Sequence, residues 1–226
     1  MNPITVVVPV GPNPAYRAYL GECLDSIRAQ TVPAGEILVI DDMANLTQED
    51  VGPDVTLWKT PWLSGVAHVF NFGVGLAQHD LVFMLGSDDR LETWCLQDCT
   101  KAYQTHHDPL AYYYVDVQYS DGRQQSLACH AAMVTKALWR HNGGFPVESA
   151  VGAPDTVLIS IMLAAKGAAG HLIHVGSQVP PYWYRLHDQT DTVARSRPFY
   201  GAIKAIRDHY TEEAVQWKGP RWITKR

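Results

Sequence analysis

Apolar positions along this chain fall into two periods. Ile4 to Val10 and Glu36 to Asp42 are runs rich in Ile, Val and Leu, and Leu81 to Leu85 is five apolar residues in a row. Runs of this length without alternation predict strands buried on both faces. Val55 to Trp58 predicts a short strand between them. Tyr16, Leu20, Cys23, Leu24 and Ile27 recur at helical spacing, and residues 65–77 predict a second helix with Gly65, Gly73 and Gly75 allowing close approach. The order strand, helix, strand, short strand, helix, strand suits right-handed parallel crossovers. We expect an α/β protein with a doubly wound, mostly parallel central sheet and helices on both faces.

The second half is less regular. Residues 91–106 read as a helix, 110–119 as a tyrosine-rich strand, and 124–129 as a strand pairing back across the Asp121-Gly122 turn. A short helix over 135–141 stops at Asn142-Gly143-Gly144. A helix over 154–166, a strand over 171–175, an aromatic strand or loop over 182–187 and a last helix over 199–213 follow. The hairpin region forms a small antiparallel extension. No linker divides the chain, so a single domain over 1–226 is expected. Its parts are a regular first half (1–106), a less regular second half (107–195), and a C-terminal helix with a basic, aromatic tail (196–226).

Two strands end in paired carboxylates, Asp41-Asp42 and Asp88-Asp89. A carboxylate pair is unfavourable to bury without a cation or strong donors. At the carboxyl ends of parallel strands both pairs meet in one crevice, where open α/β sheets bind ligands. The chemistry this suggests is a divalent metal holding a phosphate-bearing substrate, and the plain alternative is a solvated turn capping the next helix.

Composition narrows the classes. A net charge of -5 gives no general attraction to nucleic acid or anionic membrane. No apolar run approaches a membrane span, and the N-terminus leads directly into a strand, so neither a spanning helix nor a secretory signal is expected. The four cysteines show no disulfide framework, which suits a cytoplasmic protein. Cys95 and Cys99 lie one helical turn apart, and core packing is favoured over zinc. No G-x-G-x-x-G follows the first strand, which disfavours a dinucleotide-binding oxidoreductase.

In order along residues 4–190 the chain resembles the family 2 glycosyltransferases of the GT-A fold. The resemblance rests on residues 4–10, 19–31 and 36–42, on Gly65, Ala67, Asn71 and Gly73, and on Ser87-Asp88-Asp89 in the place of a DXD signature. It continues through Gly143-Gly144-Phe145, then Asp155, and Tyr184-Arg185-Leu186-His187. It departs at Gly86, where the family has the first acid of DXD, at Met43-Ala44, and at Pro154, where an acid usually precedes the base.

The resemblance implies a metal-dependent inverting transferase moving a sugar, with UDP-hexose the expected donor, to an acceptor hydroxyl. Mn²⁺ or Mg²⁺ would be the cofactor. Asp89 is expected in direct metal contact, Asp88 on the ribose or a metal-bound water, and His187 on the metal or diphosphate. Residues 1–106 would bind the nucleotide and 107–195 the acceptor. Asp42 would accept from the base ring, Asp41 would either join it in the nucleotide-sugar site or hold the loop, and Pro9 and Val10 would offer backbone groups. Gly65 and Asn71 would line the nucleotide-sugar site, and Arg185 would pair with phosphate. Asp155 is the expected general base at a helix N-terminus, with Glu148 as the fallback. The alternative is a catalytically silent nucleotide-sugar-binding module on the same fold. The acceptor is unspecified: a saccharide, a lipid-linked sugar, a protein or nucleic acid. The tail carries Trp217, Lys218, Arg221, Trp222, Lys225 and Arg226, a candidate peripheral contact with an anionic acceptor or surface.

Overall fold

The computed structural model describes residues 2–126, 131–145, 147, 158–159 and 170–188. The general base Asp155, the fallback Glu148, Cys129, the last helix and the basic tail lie outside the described residues.

The three long apolar runs form the centre of a sheet. They are β1 (Ile4–Val10), β2 (Glu36–Asp41) and β4 (Leu81–Met84), with β3 (Thr56–Lys59) at one edge. β6 (Ala111–Tyr114), β9 (Ala132–Thr135) and β10 (His171–His174) complete a seven-stranded sheet in the order β10-β6-β9-β4-β1-β2-β3. All neighbours run parallel except β9, which is antiparallel to both β4 and β6. The carboxyl ends of the other six strands therefore share one edge.

Side chains alternate across this sheet into two packed layers. Ile4, Val6, Val8 and Val10 of β1 face α1 (Pro14–Arg28) and α4 (Cys95–His106), where they meet Leu20, Leu24, Ile27 and Leu96. Val7 faces the opposite way, toward Val69 and Val74 of α3 (Val66–Leu76) and Leu138 of α5 (Lys136–His141). Gly73 lets α3 lie against β1, because a Cβ there would come 2.3 Å from Val7 Cγ1. Cys95 and Cys99 are buried in the α1/α4 layer, in keeping with the packing role expected of them.

A second sheet of four short strands lies in the order β5-β11-β7-β8, from β5 (Arg90–Leu91), β7 (Val117–Tyr119), β8 (Gln124–Gln125) and β11 (Tyr182–Tyr184). It corrects the sequence reading in three ways. The extension is mixed, since β7 and β11 run parallel while β5 and β8 pair antiparallel. Residues 110–119 form two strands in different sheets rather than one. The helix expected from residue 91 starts at Cys95, because Leu91 pairs with Tyr182 and Glu92 N–H donates to the Pro181 carbonyl. The one-turn helix α2 (Gln48–Val51) was not expected either. No helix among the described residues is long and apolar enough to cross a membrane.

Candidate active site at the carboxyl edge of the sheet

Three of the four paired carboxylates, Asp41, Asp42 and Asp89, are buried and hydrogen-bonded. Asp41 is 2 % exposed and accepts from the Ala44 N–H at 2.6 Å and the Leu46 N–H at 2.8 Å. These bonds hold a tight turn in which Met43 and Asn45 both adopt left-handed backbone, φ 70° and 57°. That conformation is unfavourable for a side chain as long as methionine, and the Asp41 carboxylate holds the loop in it.

Asp42 is tied to the loop that leads into α3. Its Oδ1 accepts from Thr60 Oγ1 at 2.8 Å and the Ser64 N–H at 2.7 Å, and its Oδ2 accepts from the Gly65 N–H at 2.8 Å. Three of roughly four acceptor positions are used on the loop that leads into α3. Asp42 is a clamp on residues 60–65. Gly65 takes φ +81° to deliver that N–H, a backbone conformation that suits glycine. Val10 is fully buried, and its carbonyl accepts from the Asp42 N–H at 2.8 Å. Pro9 sits one residue earlier on β1, paired with Ile40.

Asn71 is 1 % exposed. Its amide donates to the Phe145 carbonyl, and its Oδ1 accepts from the Phe145 N–H and Trp139 Nε1, both at 2.7 Å. It binds α3 to the Gly143-Gly144-Phe145 turn. Gly144 must be small there, because a Cβ would fall 2.5 Å from Asn71 Oδ1, and its φ is +91°.

The second pair, after β4, has one carboxylate buried and one at the edge of the site. Asp89 is 4 % exposed. Tyr182 Oη donates to its Oδ2 at 2.6 Å and the Arg185 N–H to its Oδ1 at 2.8 Å. Burial, and secondly the Asp88 charge, push the Asp89 carboxyl well above the ordinary carboxylate range, opposed by these donors. Burial pushes the Tyr182 hydroxyl up as well, with Asp89 beside it. An enclosed carboxyl with both oxygens bonded is poorly placed for direct metal contact. Asp88 carries the outward carboxylate, with Oδ2 3.0 Å from His187 Nε2. Gly86 now has a physical reason. A Cβ on it would lie 2.7 Å from Asp89 Oδ2, so an acidic side chain at 86 would collide with Asp89.

Arg185 is a strut. Its Nε donates to the Asp88 carbonyl at 2.9 Å, and its guanidinium pairs with Glu22 and lies 4.1 Å over the Tyr19 ring and 4.6 Å over Trp183. The expected phosphate contact thus competes with an ion pair already made. Tyr16 and Tyr19 flank the His187 ring at 6.5 and 5.6 Å between centroids. Sequence reasoning placed Tyr16 on the core face and passed over Tyr19 and Glu22. Their spacing of three along α1 is the signal that joins them on one helix face.

Asp88 and His187 form one carboxylate-imidazole pair, and no group of three or more His, Cys, Asp or Glu able to hold a metal occurs among the described residues. A hard divalent cation that takes most of its ligands from phosphate and water needs no more than this. The donor set fits such an ion and does not fit a closed structural site.

A family model described as "Glycosyl transferase family 2" matches residues 5–152. Among solved structures, TarS of S. aureus is similar at 18% identity and TM-score 0.66, over 90% of this chain and 39% of that one. TarS 1-349 in complex with UDP-GlcNAc gives 16% identity and TM-score 0.68, over 90% and 65%. TarS 1-349 in complex with UDP gives 17% identity and 0.65, over 93% and 67%. The chain thus spans about 39% of the length of the full TarS structure it matches. The likeness is one of fold, the GT-A arrangement expected from the sequence. No curated protein sequence matches.

Proposed function

Because this chain belongs to glycosyl transferase family 2, we propose that it moves a hexose from a UDP-hexose donor to an acceptor hydroxyl, with inversion and with the help of Mn²⁺ or Mg²⁺. The observation that carries the metal reading is the Asp88–His187 pair, 3.0 Å apart on a loop that Asp89, Tyr182 and Arg185 pin from beneath. UDP as the nucleotide draws on the TarS complexes with UDP and UDP-GlcNAc. When bound, the cation neutralises charge that grows on the leaving diphosphate. Asp88 and His187 would hold it, and Asp89 would keep Asp88 aimed outward. The rings of Tyr16, edge-on at 70°, and Tyr19, tilted at 42°, confine the His187 imidazole. Asp155, ionised, would take the proton of the acceptor hydroxyl as that oxygen attacks the anomeric carbon from the face opposite the diphosphate.

Proton NMR of the sugar released during slow donor hydrolysis tests this. The first-formed anomer should have the configuration opposite to the donor linkage. Asp155→Asn should slow transfer about a hundred-fold and leave UDP affinity unchanged. Retention of configuration, or parental transfer by the Asn variant, would refute the assignment.

A further inference from the structure

A second cluster of ionisable side chains stands on the carboxyl edge, away from Asp88. The strand registers set His174, Tyr114, Ala132 and Met84 side by side across the sheet. Asp116 follows Tyr114 by two residues and Asp88 follows Met84 by four, so both carboxylates top the same edge. β9 alone separates β4 from β6, which puts them two strand spacings, about 10 Å, apart. Tyr113, Val115 and Val117 pack in the α1/α4 layer and Tyr112 and Tyr114 in the α3/α5 layer. By that alternation Asp116 points to the α3/α5 side, together with Tyr114.

His174 shares that side. Its ring stacks on Tyr114 at 5.1 Å and 27°, and its Nε2 lies 3.0 Å from Asp116 Oδ1. The approach is a close polar contact and not an aligned hydrogen bond, since Asp116 Oδ1 is buried and accepts none among the described residues. The imidazole itself is 42% exposed. Buried carboxylate oxygens are nearly always satisfied in folded proteins, so an exception points to a donor supplied from outside.

We infer that Asp116 and His174 form the subsite that reads the hydroxyl groups of the transferred sugar. The inference rests on the nucleotide-sugar reading above and goes beyond it by naming the sugar-selecting residues. The diphosphate would sit at Asp88 and the base toward β1 and β2, so the sugar is directed across β9 toward β6. A carboxylate accepts from two adjacent hydroxyls, and an imidazole N–H donates to a third oxygen. The Tyr114 stack fixes the imidazole plane, and its exposed edge can yield to a hydroxyl seeking Asp116 Oδ1. A site built on polar partners of this kind discriminates epimers far better than an apolar wall does.

Calorimetric titration in Mn²⁺ with UDP, UDP-glucose, UDP-galactose and UDP-GlcNAc tests the subsite. Asp116→Asn should weaken the best-bound nucleotide sugar about tenfold and leave UDP within about twofold, because UDP has no sugar to read. His174→Gln should weaken the same nucleotide sugar about threefold, again sparing UDP. If Asp116→Asn does not fold, the His174→Gln ratio decides. Equal weakening of UDP and nucleotide sugar, or no weakening of either, overturns the inference. A wild-type protein that binds neither UDP nor any nucleotide sugar would show a failure of the functional reading itself, and the subsite would fall with it.

Discussion

Asp88→Asn should lower Mn²⁺-supported release of UDP from a UDP-hexose by about a thousand-fold, the upper range for losing one preorganised charge at a reacting centre. The fold should survive. The Asp88 side chain makes one described contact, to His187 Nε2, and its backbone carbonyl keeps the Arg185 bond in the variant. The Asp88 and His187 side chains are both largely enclosed, 14% and 13% exposed, and Asn keeps the size and one oxygen for His187, so the loss is about 1.5 kcal/mol and the melting temperature should move by no more than about 6 °C. Removing the Asp88 charge also relieves Asp89, whose carboxyl that charge pushes up, and the relief offsets part of the loss. Turnover at the parental rate in this variant would remove Asp88 from the site.

Asp89→Ala should instead act on stability. The substitution leaves the Tyr182 hydroxyl and the Arg185 N–H without the acceptor they use in a region with almost no water. Each orphaned donor costs about 1–3 kcal/mol. A combined loss of about 3 kcal/mol corresponds to roughly 10 °C for a chain of this size. Asp89→Asn keeps an oxygen for Arg185 and should lose less than Asp89→Ala. The sign of the pH effect follows from the raised carboxyl. Folded protein holds that proton more tightly than unfolded chain does, so stability is greatest below the ordinary carboxylate range. It falls as pH climbs through the raised value, and Asp89→Asn should reduce that slope in metal-free protein. Thermal melts with and without chelator measure both effects. A variant with unchanged stability and lost turnover would return Asp89 to the metal.

The sheet was legible because its central strands are long apolar runs whose ends coincide with acidic residues. Ile4–Val10, Glu36–Asp41 and Leu81–Met84 needed no tertiary information. β9 was not legible. Ala132–Thr135 is four residues with no period of its own, and only its antiparallel pairing with β4 and β6 makes it a strand. The site was legible in its residue types and not in its assignments. An Asp at a strand end says that donors will gather there and leaves open which donors come. Asp42 meets Thr60, Ser64 and Gly65, some twenty residues on, through a loop whose path has no signature. Asn71 meets Phe145 across 74 positions. The different surroundings of Asp88 and Asp89 turn on Tyr182, 93 residues after Asp89, which reads from sequence as one of three equivalent aromatics.

The central claim is a metal-assisted transferase that uses a nucleotide sugar, and the release of UDP from a panel of UDP-hexoses tests it most directly. The wild-type chain should release UDP from at least one donor in Mn²⁺ and lose that release in excess EDTA. Tight binding of UDP with no release from any donor would contradict the claim in favour of a silent binding module, and undiminished release in EDTA would contradict its metal dependence.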